Sequence, residues 1–171
     1  MDGIRVIRVW SFIASNEGFA RRILDYMSFM STGFWASLSV KTDLIVATSP
    51  QFFAAFAGFL AHVFKKRPWV MEVRDLWPES IRAVGAMRGD GFLFRFLEKM
   101  ELFLYRKAAR IVVVTDAFQE NLMRRGIPAE KIFVVKNGVM GDQFLPRSTD
   151  ENLLDELGLR GKFVVGYLGT H

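Results

Sequence analysis

The sequence predicts an α/β fold: a Rossmann-like, doubly wound, mainly parallel sheet. Short apolar runs of strand length alternate with longer stretches of helical periodicity, a pattern typical of parallel sheets covered by helices. The apolar runs are bounded by turn residues, as buried parallel strands are. Gly126 and Gly158 each follow a helical stretch, and glycine is favoured just beyond a helix C-terminus.

The elements follow in order along the chain. The predicted strands are residues 4–10, 44–48, 69–73, 111–115, 132–135 and 163–168. The predicted helices are residues 18–38, 51–64, 91–109, 116–125 and 149–157. Ser148 with Glu151 predicts a capping box at the start of the last helix.

A turn-rich connector separates the last helix and strand from the rest. Residues 136–150 contain Asn137-Gly138, Gly141 and Pro146, which favour turns and loops. We therefore expect a partial N-terminal domain at 1–139, a linker with a connecting helix at 140–161, and the first strand and loop of a second domain at 162–171. Strand-like runs at both ends of the sequence predict a piece of a longer protein.

The composition restricts the possible chemistry. The chain of 171 residues has no Cys and two His, which argues against disulfides, cysteine nucleophiles and histidine-rich metal sites. A net charge of +5 fits either an ordinary basic protein or one with a polyanionic partner. Basic residues are scattered without a recognition helix, so we expect no nucleic-acid partner. The longest apolar stretch, residues 52–64, is shorter than the ~20 residues of a membrane span.

The densest group of ionisable residues follows the third predicted strand. Four ionisable residues, Glu72, Arg74, Asp75 and Glu79, lie from the end of that strand onward, with Trp77 between them. Ligands of open α/β sheets bind at the carboxyl ends of strands. Asp75 or Glu79 can act as a base, Arg74 can hold a phosphate or carboxylate, and Trp77 can stack on a flat or sugar-like face. A structural loop with an Arg–carboxylate pair would give the same pattern.

Two glycine-bearing turns follow strands and can approach an anion. One contains Asn137-Gly138, and the other contains Gly166, Gly169 and Thr170. Glycine allows backbone amides to come close to phosphate, best at the N-terminus of a helix. Neither turn completes a known phosphate-binding motif, so each is a weak signal by itself.

Two helices combine apolar residues with basic clusters. The first carries Arg21 and Arg22, with Phe29 and Trp35 outside its main apolar line, and the second ends in Lys65-Lys66-Arg67. This combination suits the surface of an anionic bilayer. Packing of both helices into a core is the alternative for most of these positions.

Several short motifs, taken in order, resemble one family. They lie at residues 74–80, 97–99, 112–115, 125–127, 131–139 and 165–171. Together they resemble bacterial family 4 glycosyltransferases of the two-Rossmann-domain (GT-B) type. Within that family they most resemble L-fucosamine transferases and colanic-acid-type glycosyltransferases. The resemblance covers most of the chain from about Lys41 onward.

The resemblance implies transfer of a hexosyl or N-acetylaminosugar group, with retention, from a nucleotide-diphosphate sugar. The implied acceptor is a lipid-linked or growing glycan in the synthesis of O-antigen, capsule or exopolysaccharide. The family's N-terminal domain binds the acceptor and its C-terminal domain binds the donor. A cytoplasmic protein, peripheral on the inner face of the cytoplasmic membrane and without metal or cofactor, is expected.

The resemblance also implies roles for individual residues. Asp75 and Arg74 fall where the family places polar residues facing the cleft, which makes them candidate catalytic residues. Trp77, Glu79, Asn137 and Gly138 become candidate substrate-binding residues. Met140 stands where the family's Asn-Gly-Val-Asp step has Asp, so this chain departs from the family there.

The second glycine turn takes the place of the donor-diphosphate loop in the resemblance, at Gly166, Gly169 and Thr170. The family's opening strand would precede Asp2, and its donor-binding basic residues and paired glutamates would follow His171. We therefore expect the 171-residue piece alone to lack transferase activity. The alternative function is a non-catalytic α/β module that binds an anionic membrane or a protein partner.

Overall fold

The computed structural model describes residues 3–13, 19–49, 52–77, 91–139, 141–142, 145 and 148–166. The chain forms two compact units that divide after Asn137. The elements in order are α1 Phe19–Leu38, β1 Ile45–Ser49, α2 Phe52–Lys65, β2 Trp69–Val73, α3 Phe92–Lys107, β3 Arg110–Val113, α4 Asp116–Arg124, a 3₁₀ turn Ala129–Lys131, β4 Ile132–Val134 and α5 Glu151–Glu156.

The predicted α/β fold with a parallel sheet is confirmed. The four strands are all parallel and lie in the order β1-β2-β3-β4. Each strand is therefore bonded to the next strand in sequence, with a helix between them. The register pairs Ile45 with Trp69, Val70 with Arg110, and Ile111 with Ile132, which brings the carboxyl ends of the strands to one edge.

Helices cover one face of this sheet. Each connection leads from one strand to its next neighbour, always toward the β4 side of the sheet. Because such crossover connections are right-handed, α2, α3 and α4 lie on the same face of the sheet. Burial alternates along β2 accordingly, with Trp69, Met71 and Val73 buried and the residues between them half-buried. On the opposite face, Val46 and Phe133 are 61% and 49% exposed.

The core lies between the covered face and these three helices. Trp69 is fully buried, and its indole Nε1 donates to the carbonyl oxygen of Lys107 at 3.1 Å. Leu104, Ile111 and Leu122 pack in the same cluster. Helix α1 packs against α2 through aromatic contacts, such as Phe34 with Phe64 at 5.2 Å between ring centroids.

The helix ends follow from the sequence in most places. Thr115 caps α4, because its hydroxyl accepts from the backbone N–H of Phe118 at 3.2 Å. Gly126 follows α4 with a φ of +83°, and its N–H donates to the carbonyl of Met123. Gly158 follows α5 in the same way, with a φ of +63°.

Three predictions about local structure need correction. Residues 4–10 form no strand, because no neighbouring strand of the described chain pairs with them. Residues 163–166 form none either, and residues 167–168 lie outside the described ranges. Helix α5 is capped by Asp150, which accepts from the N–H groups of Asn152 and Leu153, and the predicted capping box on Ser148 is wrong. The three domain segments stay predictions.

In the second unit, ion pairs join helix α5 to the segment that follows it. Arg160 bonds the Asp155 carboxylate, with a distance of 2.7 Å from Nη2 to Oδ2, and Glu151 lies 2.7 Å from Nη1. The hydrogen bond to Arg160 lowers the pKa of the Asp155 carboxyl. All three side chains are exposed, so this network contributes little to stability.

Candidate functional site

The carboxyl edge of the sheet gathers polar side chains from several strands. Thr48 lies near the end of β1, Glu72 and Arg74 at the end of β2, and Asn137 just after β4. In open parallel sheets this edge is where ligands bind. The structure thus brings two predicted residues, Arg74 and Asn137, to the same edge.

Glu72 is the centre of this polar group. Its Oε2 accepts from the Thr48 hydroxyl at 2.6 Å, and its Oε1 lies 3.3 Å from the Nε of Arg74. Its side chain is 26% exposed and lies on the sheet face opposite the core, since its neighbours Met71 and Val73 point into the core. Both carboxylate oxygens of Glu72 are therefore engaged.

Arg74 links the end of β2 to the segment after β4. Its backbone N–H donates to the carbonyl of Ser49 at 3.3 Å, which continues the β1–β2 pairing. Its Nη2 donates to the Oδ1 of Asn137 at 3.3 Å. Together with Glu72, these contacts hold the guanidinium on two sides while half of the side chain stays exposed.

Asp75 and Trp77 continue from Arg74 along the chain. Asp75 is half-buried, and within the described residues its carboxylate has no hydrogen-bond or ion-pair partner. Trp77 is half-buried and packs against the core together with Leu76. Glu79, also predicted to bind substrate, lies outside the described residues. Gly138 is exposed.

A second polar pair lies at the same edge. Lys136 follows β4, and its Nζ lies 2.6 Å from the Oδ2 of Asp116 at the start of α4. Lys136, Asp116 and Thr48 were not among the predicted site residues, whereas Glu72 begins the predicted group of ionisable residues but had no role assigned to it. A signal for Glu72 was present, because it is an acidic residue inside the apolar strand Trp-Val-Met-Glu-Val.

The predicted donor-diphosphate loop is described only at its start. Gly166 is exposed, whereas Gly169 and Thr170 lie outside the described residues. Its role stays a prediction. In the part of the chain that the structure describes, no three metal-ligating side chains come together.

The predicted membrane-facing residues have different surroundings. Trp35 is 69% exposed on α1, and Phe29 is partly exposed. Arg21 is exposed, and nothing is described of the Arg22 side chain. By contrast, the ammonium of Lys65 donates to the carbonyls of Ser37, Leu38 and Val40 at 2.6–3.3 Å.

Lys65 therefore closes the C-terminal end of α1, where unpaired carbonyls attract a cation. Lys66 is exposed and has a φ of +53°, and Arg67 is exposed with Asp43 at 3.9 Å. His62 bonds the same turn, with 2.6 Å between its Nδ1 and the carbonyl oxygen of Arg67. Among the described residues, no helix has both the length and the apolar character needed to cross a bilayer.

Two comparisons with known proteins bear on this site. The family described as "Glycosyl transferase 4-like domain" matches residues 1–138, which include the whole sheet and the polar edge. A protein of Pseudomonas aeruginosa named "Probable glycosyltransferase WbjE" is 26% identical over 104 residues, which is 60% of this chain and 26% of that protein. The match thus spans about a quarter of that relative's length.

Proposed function

The chain belongs to the family of glycosyl transferase 4-like domains, and we propose that the protein containing it transfers a sugar from a nucleotide-diphosphate sugar to a hydroxyl acceptor. In this reaction the bond between the anomeric carbon and the diphosphate breaks, and a bond from that carbon to the acceptor oxygen forms. The nucleoside diphosphate leaves with the electron pair, and a base takes the proton of the acceptor hydroxyl.

The finer terms of the proposal rest on the family resemblance. The sugar is a hexosyl or N-acetylaminosugar group transferred with retention, as in the L-fucosamine and colanic-acid-type enzymes. The acceptor is a lipid-linked or growing glycan of a surface polysaccharide. We further propose that the protein acts in the cytoplasm, on the inner face of the cytoplasmic membrane, without metal or cofactor.

One observation carries the proposal beyond family membership: Arg74 and Asn137 meet at the carboxyl edge of the sheet. Asp75 follows Arg74 directly, and its carboxylate is not bonded to any described residue. A carboxylate that no described residue bonds, next to a held guanidinium, can receive a proton or accept a bond from a substrate hydroxyl. These contacts support an acceptor site at this edge.

We expect Asp75→Asn to lower transferase activity by at least about 100-fold, because general-base catalysis contributes roughly that much. The measurement uses the longest reading frame that contains this sequence. Purified protein is incubated with UDP- and GDP-sugars and a polyprenyl-diphosphate-linked sugar, and the products are read by mass spectrometry.

Asp43→Asn is the matched control, since the Asp43 side chain is almost fully exposed and its ion pair with Arg67 is long, at 3.9 Å. This variant is expected to keep wild-type turnover. Normal turnover by the Asp75→Asn protein would exclude a catalytic role for Asp75. Absence of transfer by the wild-type protein with every donor would contradict the proposed function itself.

A second candidate function is binding to an anionic membrane surface. Apolar side chains on α1 and at the end of α2 are exposed: Leu24, Trp35 and Phe64 are each more than half exposed. The cations Lys66 and Arg67, which follow α2, are exposed as well. Apolar side chains next to cations suit the boundary between lipid headgroups and acyl chains.

We expect the chain to sediment with phosphatidylglycerol vesicles more than with phosphatidylcholine vesicles. Lys66→Gln and Arg67→Gln should each weaken that binding by about fivefold, and Trp35→Ser should weaken binding to both kinds of vesicle. Phe92→Ser is the control, because Phe92 is 87% exposed and lies at the start of α3, not on α1 or α2. Equal sedimentation with both kinds of vesicle would remove the electrostatic part of the proposal.

A further inference from the structure

The polar edge has a charge balance that limits what it can bind. Arg74 is the cation at the end of β2, but the Oε1 of Glu72 lies 3.3 Å from its Nε. The two charges compensate each other at close range. A phosphate that approaches Arg74 would also come close to the Glu72 carboxylate, and like charges at short range repel.

Uncharged hydroxyl groups meet no such obstacle. Within a few ångströms this edge offers the guanidinium of Arg74 as donor, the carboxylate of Glu72 as acceptor, and the amide of Asn137, which can do both. Vicinal hydroxyls need donors and acceptors side by side. Trp77 follows Arg74 by three residues and is half-buried, with part of its ring packed against the core. We assign the exposed part of the ring to the sugar as a flat apolar face.

We propose that this edge binds the uncharged, hydroxyl-bearing part of a carbohydrate, and that Glu72 keeps phosphate away from Arg74. The proposal rests on the proposed function and names the substrate class for the same site: the sugar portion of the acceptor, with any diphosphate bound elsewhere. Glu72 then has two roles. It orients Arg74, and it makes the site selective for neutral groups.

Thr48 is a positioning residue in this arrangement. Its hydroxyl donates to the Oε2 of Glu72 at 2.6 Å, which fixes the carboxylate so that Oε1 faces Arg74. Thr48 is 24 residues away from Glu72 in sequence, on the neighbouring strand, and register places the two residues opposite each other. Only the parallel pairing of β1 and β2 brings them into contact.

The test follows the side-chain Nε–H signal of Arg74 by NMR in the purified chain, with two kinds of probe. Sodium pyrophosphate is the anionic probe. Methyl glycosides of glucose, galactose and N-acetylglucosamine are the neutral probes. We expect at least one glycoside to shift the Arg74 signal and the Trp77 indole signal in the millimolar range, and pyrophosphate to leave both unchanged.

The decisive variant is Glu72→Gln. It should create pyrophosphate binding at Arg74, at least about fivefold tighter than in the wild-type protein, and this gain should be lost in the Glu72→Gln, Arg74→Gln double variant. Glu120→Gln makes the same change in net charge at an exposed position of α4 and should produce no gain. Thr48→Val should weaken glycoside binding, and Thr48→Ser should retain it.

Two results would overturn the inference. One is pyrophosphate binding at Arg74 in the wild-type protein that Glu72→Gln does not strengthen, which would make the edge a phosphate site. The other is the absence of any glycoside-dependent shift at Arg74 and Trp77. Neither result depends on turnover, so a failure here is distinguishable from a failure of the transferase assay.

Discussion

Glu101→Gln is expected to lower the free energy of unfolding of the chain by about 3–5 kcal/mol, because it removes one charge of a buried ion pair. Glu101 on α3 is only 2% exposed. It accepts from the Tyr105 hydroxyl at 2.6 Å and pairs with the Nη2 of Arg125 at 2.5 Å. Arg125 lies at the end of α4, so this ion pair joins α3 to α4.

Urea unfolding followed by circular dichroism measures this loss. Glu98→Gln is the matched control, since Glu98 is 4.0 Å from the same arginine but its side chain is 41% exposed. It should cost no more than about 1 kcal/mol. Replacing both partners, as in Glu101→Leu with Arg125→Met, should recover most of the loss. Equal losses for Glu98→Gln and Glu101→Gln would show that burial of the pair is not what matters.

Gly58→Ala is expected to cost about 3 kcal/mol through overpacking. Gly58 lies on the buried face of α2. A Cβ at this position would lie 2.3 Å from the Cβ of Ala47 on β1, which is far inside the contact distance of two carbon atoms. Neither partner is the end of a flexible side chain, so the helix must move away from the sheet.

Ala47→Gly provides the rescue, because it removes the atom with which the new methyl group collides. The double variant Gly58→Ala, Ala47→Gly should be more stable than Gly58→Ala alone, despite the roughly 0.5–1 kcal/mol cost of glycine in a strand. Gly33→Ala on α1 is the control, since a Cβ there meets nothing within 4 Å. If the double variant were no more stable than Gly58→Ala, the close approach of α2 to β1 would not explain the loss.

The architecture of the first unit was predictable from local patterns. β2 has the predicted bounds, and β1, β3 and β4 differ from the predicted strands by no more than two residues at either end. Apolar runs and helical periodicity are properties of consecutive residues, so they can be detected without knowing the fold. The strand predicted at residues 4–10 was wrong, because an apolar run becomes a strand only where another strand pairs with it.

The candidate site was predictable only in part. Its place at the end of β2 follows from the position of Arg74 and Asp75 after an apolar run, and the sequence motif already indicated that place. The contacts of Arg74 could not be predicted from the motif. Arg74 bonds a residue 63 positions away. An Arg–carboxylate pair was one interpretation of the motif, but the pattern did not show that Glu72 would be the partner.

Sequence alone thus determined the class of fold, the order of most elements and the edge of the sheet where polar residues lie, because these depend on periodicity and on the topology of parallel sheets. Tertiary structure decided what each charge does. Lys65 bonds carbonyls at the end of α1, Glu101 and Arg125 join two helices, and Glu72 balances Arg74. The physical reason is that the effect of a charge depends on which groups lie within a few ångströms, and here the main chain's path through the sheet brings those groups together.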